Sequence, residues 1–265
     1  MNLSNLKVIE LASVLAGPEV GMFFAELGAQ VIKVENEKTG GDVTRKWKTK
    51  KEKTPENISA YFAAVNWGKQ HLFIDLSTVE GQSKVHGLIE DADIVIVNFK
   101  PGSAHKLKMD YNTCKALNPQ LVYGEINGYG SDSPRAAYDV VLQAETGFMS
   151  INGNENSGPL KMPIALIDVL AAHQLKEGIL LALLNRTESG KGAFVEVSLY
   201  DAAISSLKNQ ATNFLMNDNV PKRIGSLHPN IAPYGETFKT KDGETLVLGI
   251  GSDKQFQELL NVLGA

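Results

Sequence analysis

The chain has 265 residues, 43% of them hydrophobic and 21% charged, enough to bury a full core and to exceed one small domain. Its net charge of -4 and pI near 5.8 argue against nucleic acid and other general polyanion partners, so any phosphate site must be local. No apolar run reaches the roughly 18 residues that cross a bilayer, and MNLSNLKVIELASVLAG lacks the basic-then-apolar order of a secretion signal. The single cysteine, Cys114, can form neither an internal disulfide nor a cysteine metal cluster, so a cytoplasmic protein with no membrane partner and no metal is expected.

Short β-branched runs and helical stretches alternate through the first 130 or so residues. The runs 6–11 (LKVIEL), 29–35 (AQVIKVE), 71–76 (HLFIDL), 93–99 (DIVIVNF) and 120–126 (QLVYGEI) read as buried strands. PEVGMFFAELG reads as a helix with Pro18 at its first position, and TVEGQSKVHGLIEDA as one capped by Thr78. The alternation predicts an α/β fold, a parallel Rossmann-like sheet with helices on both faces. Ligands then gather beyond the carboxyl ends of the strands, at 12–18, 36–42 and 98–102. Two long helices are expected next, over 167–186 and 199–216. After a Pro-, Gly- and Asn-rich linker, a hairpin turns at Asp242-Gly243 and a last helix begins at SDKQF. The expected domains are therefore 1–216, a linker over 217–234, and the start of a smaller α+β domain over 235–265.

A dinucleotide site would need G-x-G-x-x-G after the first strand. ASVLAGPEVG offers only Gly17 and Gly21, and Pro18 removes an amide donor, so the nicotinamide reading is disfavoured. Asp168 sits in the apolar run IALIDVL where a helix could begin, which on local sequence alone favours a helix cap over a reactive carboxylate.

Seven blocks carry a resemblance in one order along the chain: LKVIELASVLAGPEVGMFFAELGAQVIKVE, GGDVTRKW, NWGKQHLFIDL, ADIVIVNFKPGSAHKL, LNPQLVYGEINGYG, YDVVLQAETGFMSINGN and HPNIAPYGETFKTKDGE. Together they resemble the class III coenzyme A transferases, the family of formyl-CoA and carnitine-CoA transferases with the α-methylacyl-CoA racemases as a branch. The resemblance implies an enzyme that moves coenzyme A between an acyl-CoA and a carboxylic acid, with coenzyme A as substrate and no permanently bound cofactor. It implies that Asp168 is the nucleophile, forming a mixed anhydride and then an aspartyl thioester. The racemase branch has a histidine where this chain has Tyr138, a poor proton shuttle at neutral pH, so transfer is preferred to racemisation.

The same resemblance implies coenzyme A contacts at Ser13, Val14, Leu15, Ala16, Leu72, Asn98 and Phe99, with Lys106 pairing a phosphate. The chain departs from the formyl-CoA transferase pattern at Leu15, where a glutamine is usual, and at Asn36, where an arginine is usual. Lys33, Lys69 and Arg45 are the cations weighed as replacements, with Arg45 the member of the basic run 44–53 to watch. His173 lies five residues after Asp168, about a turn and a half along a helix, so it need not share a face with it, and Cys114 reads as an inert, half-buried thiol. Relatives continue well beyond the last residue here and interlock as homodimers. A homodimer is thus implied, and the alternative is a shortened relative that binds coenzyme A or a partner without turnover.

Overall fold

A computed structural model describes residues 3–265, with Met1 and Asn2 outside the description. In chain order the elements begin β1 (Lys7–Leu11), α1 (Ala16–Glu26), β2 (Gln30–Glu35), α2 (Ala60–Ala63), β3 (Gln70–Phe73), α3 (Val79–Glu90) and β4 (Ile94–Val97). They continue through α4 (Ser103–Lys106), α5 (Tyr111–Leu117), β5 (Val122–Asn127), α6 (Asp139–Glu145), α7 (Phe148–Ile151), α8 (Leu166–Ser189) and β6 (Ala193–Ser198). The last are α9 (Leu199–Ser206), α10 (Asn209–Asn217), β7 (Tyr234–Lys239), β8 (Thr245–Gly249) and α11 (Asp253–Leu263).

β1 to β6 form one parallel sheet in the order β3-β2-β1-β4-β5-β6. The order reverses between β1 and β4, so the crevice for a ligand is expected beyond their carboxyl ends. Alternation along the strands gives the sheet two unlike faces. Ile9, Leu11, Ile32, Val34, Val95 and Val97 join Val85 and Ile89 of α3 and Cys114 of α5 in an apolar cluster. On the other face the alternate residues include Glu10 and Lys33, which stand opposite each other in register and pair at 2.8 Å, both fully buried.

That second face explains the two glycines of the first turn. A Cβ on Gly21 would strike the Glu10 carboxylate, and one on Gly17 would collide with Ala12 Cβ. Gly17 and Gly21 let α1 lie close on a charged sheet face; they serve packing. Pro18 is the third residue of α1, which starts at Ala16, two residues before the expected position. Thr78 caps α3 as expected, its Oγ1 accepting from Gly81 N at 3.0 Å.

The strand β6 lies outside the set expected from the sequence, although AFVEVS alternates. The single helix expected over 199–216 is broken between α9 and α10, where Lys208 adopts φ 44° and the Ser205 and Ser206 hydroxyls donate back to Ala202 O. One compact unit comprises the described residues through 142 together with 164–206, and a second comprises 143–163 and 207–265, alongside the expected division into 1–216, 217–234 and 235–265. Within the second unit β7 and β8 form the expected antiparallel hairpin, with Gly243 at φ 91° in its turn, and Ser252 caps α11.

Candidate active site

A cleft of about 790 Å³ opens at the carboxyl ends of β1, β2 and β4, beside the residues that follow β3. Its walls include Ala12 and Ser13, Asn36 to Asp42 in part, Ile74 to Ser77, and Asn98 to Lys100. Three of these four segments belong to the loops expected from the strand order, Ile74 to Ser77 being the addition, and Asn98 ties two of them together. Its side chain accepts from Ser13 N at 2.9 Å and donates to Ser13 O at 2.7 Å, adding a rung across the point where the strand order reverses.

Of the residues matched to coenzyme A contacts, Ser13, Asn98 and Phe99 line this cleft, whereas Val14, Leu15, Ala16, Leu72 and Lys106 do not. Leu72 sits inside β3, and the wall on that side is built by the residues after the strand ends at Phe73. Lys106 is exposed on α4, while Ser103 and Leu107 turn to the cleft.

The cations weighed as phosphate partners are already engaged. Arg45 is buried; it donates to Glu35 through Nε and Nη2 at 2.7 and 2.6 Å and to Asn57 O through Nη1, and it stacks 3.8 Å from the Phe62 ring centroid. Burial would push Glu35 upward, but hydrogen bonds from Arg45, His71 and the Asp42 amide outweigh it and hold the carboxyl far below the usual range. Lys33 bridges Glu10 and Asp42, and Lys69 pairs with Glu10 at 2.6 Å. Burial works against both lysines. Glu10 and Asp42 more than compensate at Lys33, raising it, whereas Lys69 falls to about 8. Arg45, Lys33 and Lys69 thus serve the fold. Two other lysines are exposed on the cleft wall with side chains that make no hydrogen bond or ion pair among the described residues: Lys46, a member of the basic run 44–53 already weighed, and Lys100, which sequence reasoning passed over. The signal available was the loop position of Lys100, immediately after Asn98-Phe99.

Asp168 lies in the first turn of α8, whose N-cap residue is Ala165 and receives no side-chain bond. The capping role that local sequence could have given Asp168 belongs to Asp139 of α6, whose Oδ1 accepts from Ile167 N at 2.7 Å. No hydrogen bond reaches the Asp168 carboxylate among the described residues, and the residue is half-buried. Burial first, and the neighbouring charge of Asp139 second, push its carboxyl up to about 7. Asp168 does not line the cleft itself, yet Tyr61 lies in the fields of Asp168, Asp139 and the cleft residue Asp42. Burial and then these three charges raise its phenol. Tyr61 and Asp139 are the neighbours that sequence reasoning missed; Asp139 adjoins Tyr138, the residue that it did weigh.

Tyr138 is 66% exposed, with its carbonyl accepting from Val141 N and Leu142 N. His173 is exposed on α8, and its side chain has no partner among the described residues. Cys114 is fully buried, more than the half-burial expected, and burial followed by the Asp110 charge pushes its thiol to about 12.

The sequence profile of the family described as CoA-transferase family III matches residues 3–265. A succinate–glutarate CoA-transferase of Agrobacterium fabrum is 42% identical over 99% of this chain and 66% of its own length. The succinyl-CoA:glutarate CoA-transferase of Homo sapiens is 33% identical over 98% of this chain and 59% of its own. The chain therefore spans less than two thirds of these curated relatives. Among solved structures, a CAIB/BAIF family protein from Brucella suis superposes with a TM-score of 0.85 at 41% identity, covering 99% of this chain and 69% of that one.

Proposed function

The chain belongs to CoA-transferase family III, and we propose that it moves coenzyme A between an acyl-CoA thioester and a carboxylic acid through a covalent intermediate on Asp168. One observation carries the residue assignment: a half-buried carboxylate at the start of α8 with no hydrogen bond to it and a carboxyl raised to about 7. A carboxylate satisfied by amides or by a cation would be a poorer nucleophile; this one changes protonation state near neutrality, and its ionised form is unencumbered.

The steps balance without a further reagent. The Asp168 carboxylate attacks the thioester carbonyl, forming a mixed anhydride and expelling the coenzyme A thiolate. The thiolate attacks the aspartyl carbonyl, giving an aspartyl thioester and releasing the first acid. The second acid's carboxylate attacks that thioester, and the freed thiolate then takes the new acyl group, regenerating Asp168. Of the first two helical amides of α8, that of Leu166 donates to Ile164 O and that of Ile167 to Asp139 Oδ1, so both are already engaged.

In this reading coenzyme A occupies the cleft at the strand ends, with Ser13 and Phe99 against it and Lys46 and Lys100 facing its phosphates. The two lysines supply the charge that Asn36 lacks; Lys38 is held by Asp75 and Ser77. The relatives named for succinyl-CoA favour a dicarboxylic donor and acceptor. The reading has the enzyme act as a cytoplasmic homodimer, the homodimer supported by its family resemblance and the reducing compartment by its single free thiol.

Intact-protein mass spectrometry after mixing with succinyl-CoA tests the proposal. The expected result is a mass increase equal to coenzyme A less one water, absent from Asp168→Asn. A wild-type chain that binds coenzyme A but forms no adduct, or an Asp168→Asn chain that still forms one, would overturn it.

A further inference from the structure

Where β1 gives way to α1, the chain makes a turn that its own residue disfavours. Val14 has φ 70°, in the left-handed region that a β-branched side chain avoids because its Cβ crowds the backbone. Such a residue persists only where its surroundings over-determine it. Here they do so from two directions. Val14 N donates to Asp42 Oδ2 at 3.1 Å, and Ser13, one residue earlier, is clamped at both its N–H and its carbonyl by the Asn98 amide.

The Asp42 carboxylate is itself immobilised, with its side chain only 1% exposed. Its Oδ1 accepts from Thr44 N and Thr44 Oγ1, its Oδ2 lies 3.2 Å from Lys33 Nζ, and its own N–H donates to Glu35. Lys33 Nζ also donates to Ala12 O at 2.7 Å, so one buried ion pair grips the turn on both sides of Ser13. The fold thus spends a buried carboxylate on keeping one unfavourable backbone angle at the mouth of the cleft.

We propose that Asp42 is a positioning residue for coenzyme A binding: by holding Val14 in the left-handed turn, it keeps Ser13 and the start of α1 in the shape that the coenzyme meets. This rests on the assignment of the cleft to coenzyme A.

Calorimetric titration of the full chain with coenzyme A tests it, using Asp42→Asn, Val14→Gly, the double variant and Val14→Pro. Glycine takes the left-handed angle at no steric cost, whereas proline forbids it and removes the N–H without touching the Lys33–Asp42 pair. Asp42→Asn is expected to weaken binding about tenfold and Val14→Pro at least as much, while Val14→Gly stays within about twofold of wild type. Adding Val14→Gly to Asp42→Asn should return most of the lost affinity but none of the lost thermal stability. A merely structural role for Asp42 would show no such recovery. The inference is overturned if Val14→Pro binds like wild type, or if glycine fails to rescue Asp42→Asn, since the loss would then come from the stranded charge of Lys33. If wild type does not bind coenzyme A at all, the cleft assignment falls and takes this inference with it.

Discussion

Glu35 and Asp168 are both acids withdrawn from water, and the protein treats them in opposite ways. Around Glu35 the chain assembles Arg45, His71 and the Asp42 amide, so that the carboxyl is held ionised far below its usual range. Around Asp168 it assembles apolar neighbours and a second acid, Asp139, with no hydrogen bond to the carboxylate among the described residues. Burial is common to the two regions; compensation is what separates an acid that holds the fold together from one left available for chemistry. The two should therefore respond to pH with opposite sign.

The largest effect is expected at the compensated site. Glu35→Gln strands the buried Arg45 guanidinium and should cost about 3 kcal/mol of unfolding free energy at pH 7, measured by urea titration. Because the Glu35 carboxyl is lowered on folding, its contribution is full above the ordinary carboxylate range and is lost as pH falls, so wild type and variant should converge in acid. A pH-independent gap would break the comparison on this side.

Asp168→Asn should act the other way. With its carboxyl raised to about 7, ionisation costs the folded state, so wild-type stability falls as pH rises from the ordinary aspartate value through that point. The variant should gain about 1–3 kcal/mol at pH 8, each tenfold change in the protonation equilibrium being worth roughly 1.4 kcal/mol, and nothing near pH 4. Thermal unfolding at the two pH values reads the difference directly. A variant less stable than wild type at pH 8 would mean that Asp168 is compensated after all.

The smallest effect sharpens the comparison. Asp139→Asn keeps an oxygen to accept from Ile167 N but removes the charge that adds to the effect of burial on Asp168. The acid limb of kcat/KM, which reports the free enzyme, should move from near pH 7 to a value lower by about 0.5 to 1 on the pH scale. An unmoved limb would assign the whole elevation to burial.

The strand runs, the parallel sheet and the three loops that border the cleft were legible in the sequence because β-branched periodicity and turn chemistry are local signals. β6 escaped because AFVEVS is short and follows a long helix, and the break at Lys208 because its cause is a single backbone angle inside an otherwise helical pattern. The fates of the charged residues were not legible. Glu10, Lys33, Lys69 and Arg45 look in the sequence like Lys46 and Lys100; what separates the buried set from the exposed pair is which side of a pleated sheet or loop each faces once the partners arrive from distant segments. Asp168 could be singled out by its apolar company, but the proposal that it is the nucleophile came from a family resemblance, and its freedom from capping duty depends on Asp139, which only folding brings to it.

The lone thiol of Cys114 lies on the buried face of α5, its reactivity suppressed by burial. For the experimenter this makes the natural chain nearly silent toward alkylating reagents, and hence a ready host for site-directed spectroscopic labels. A cysteine introduced in place of Lys100 would react far ahead of the native one, placing a fluorophore or spin probe on the cleft wall without first having to engineer the background away.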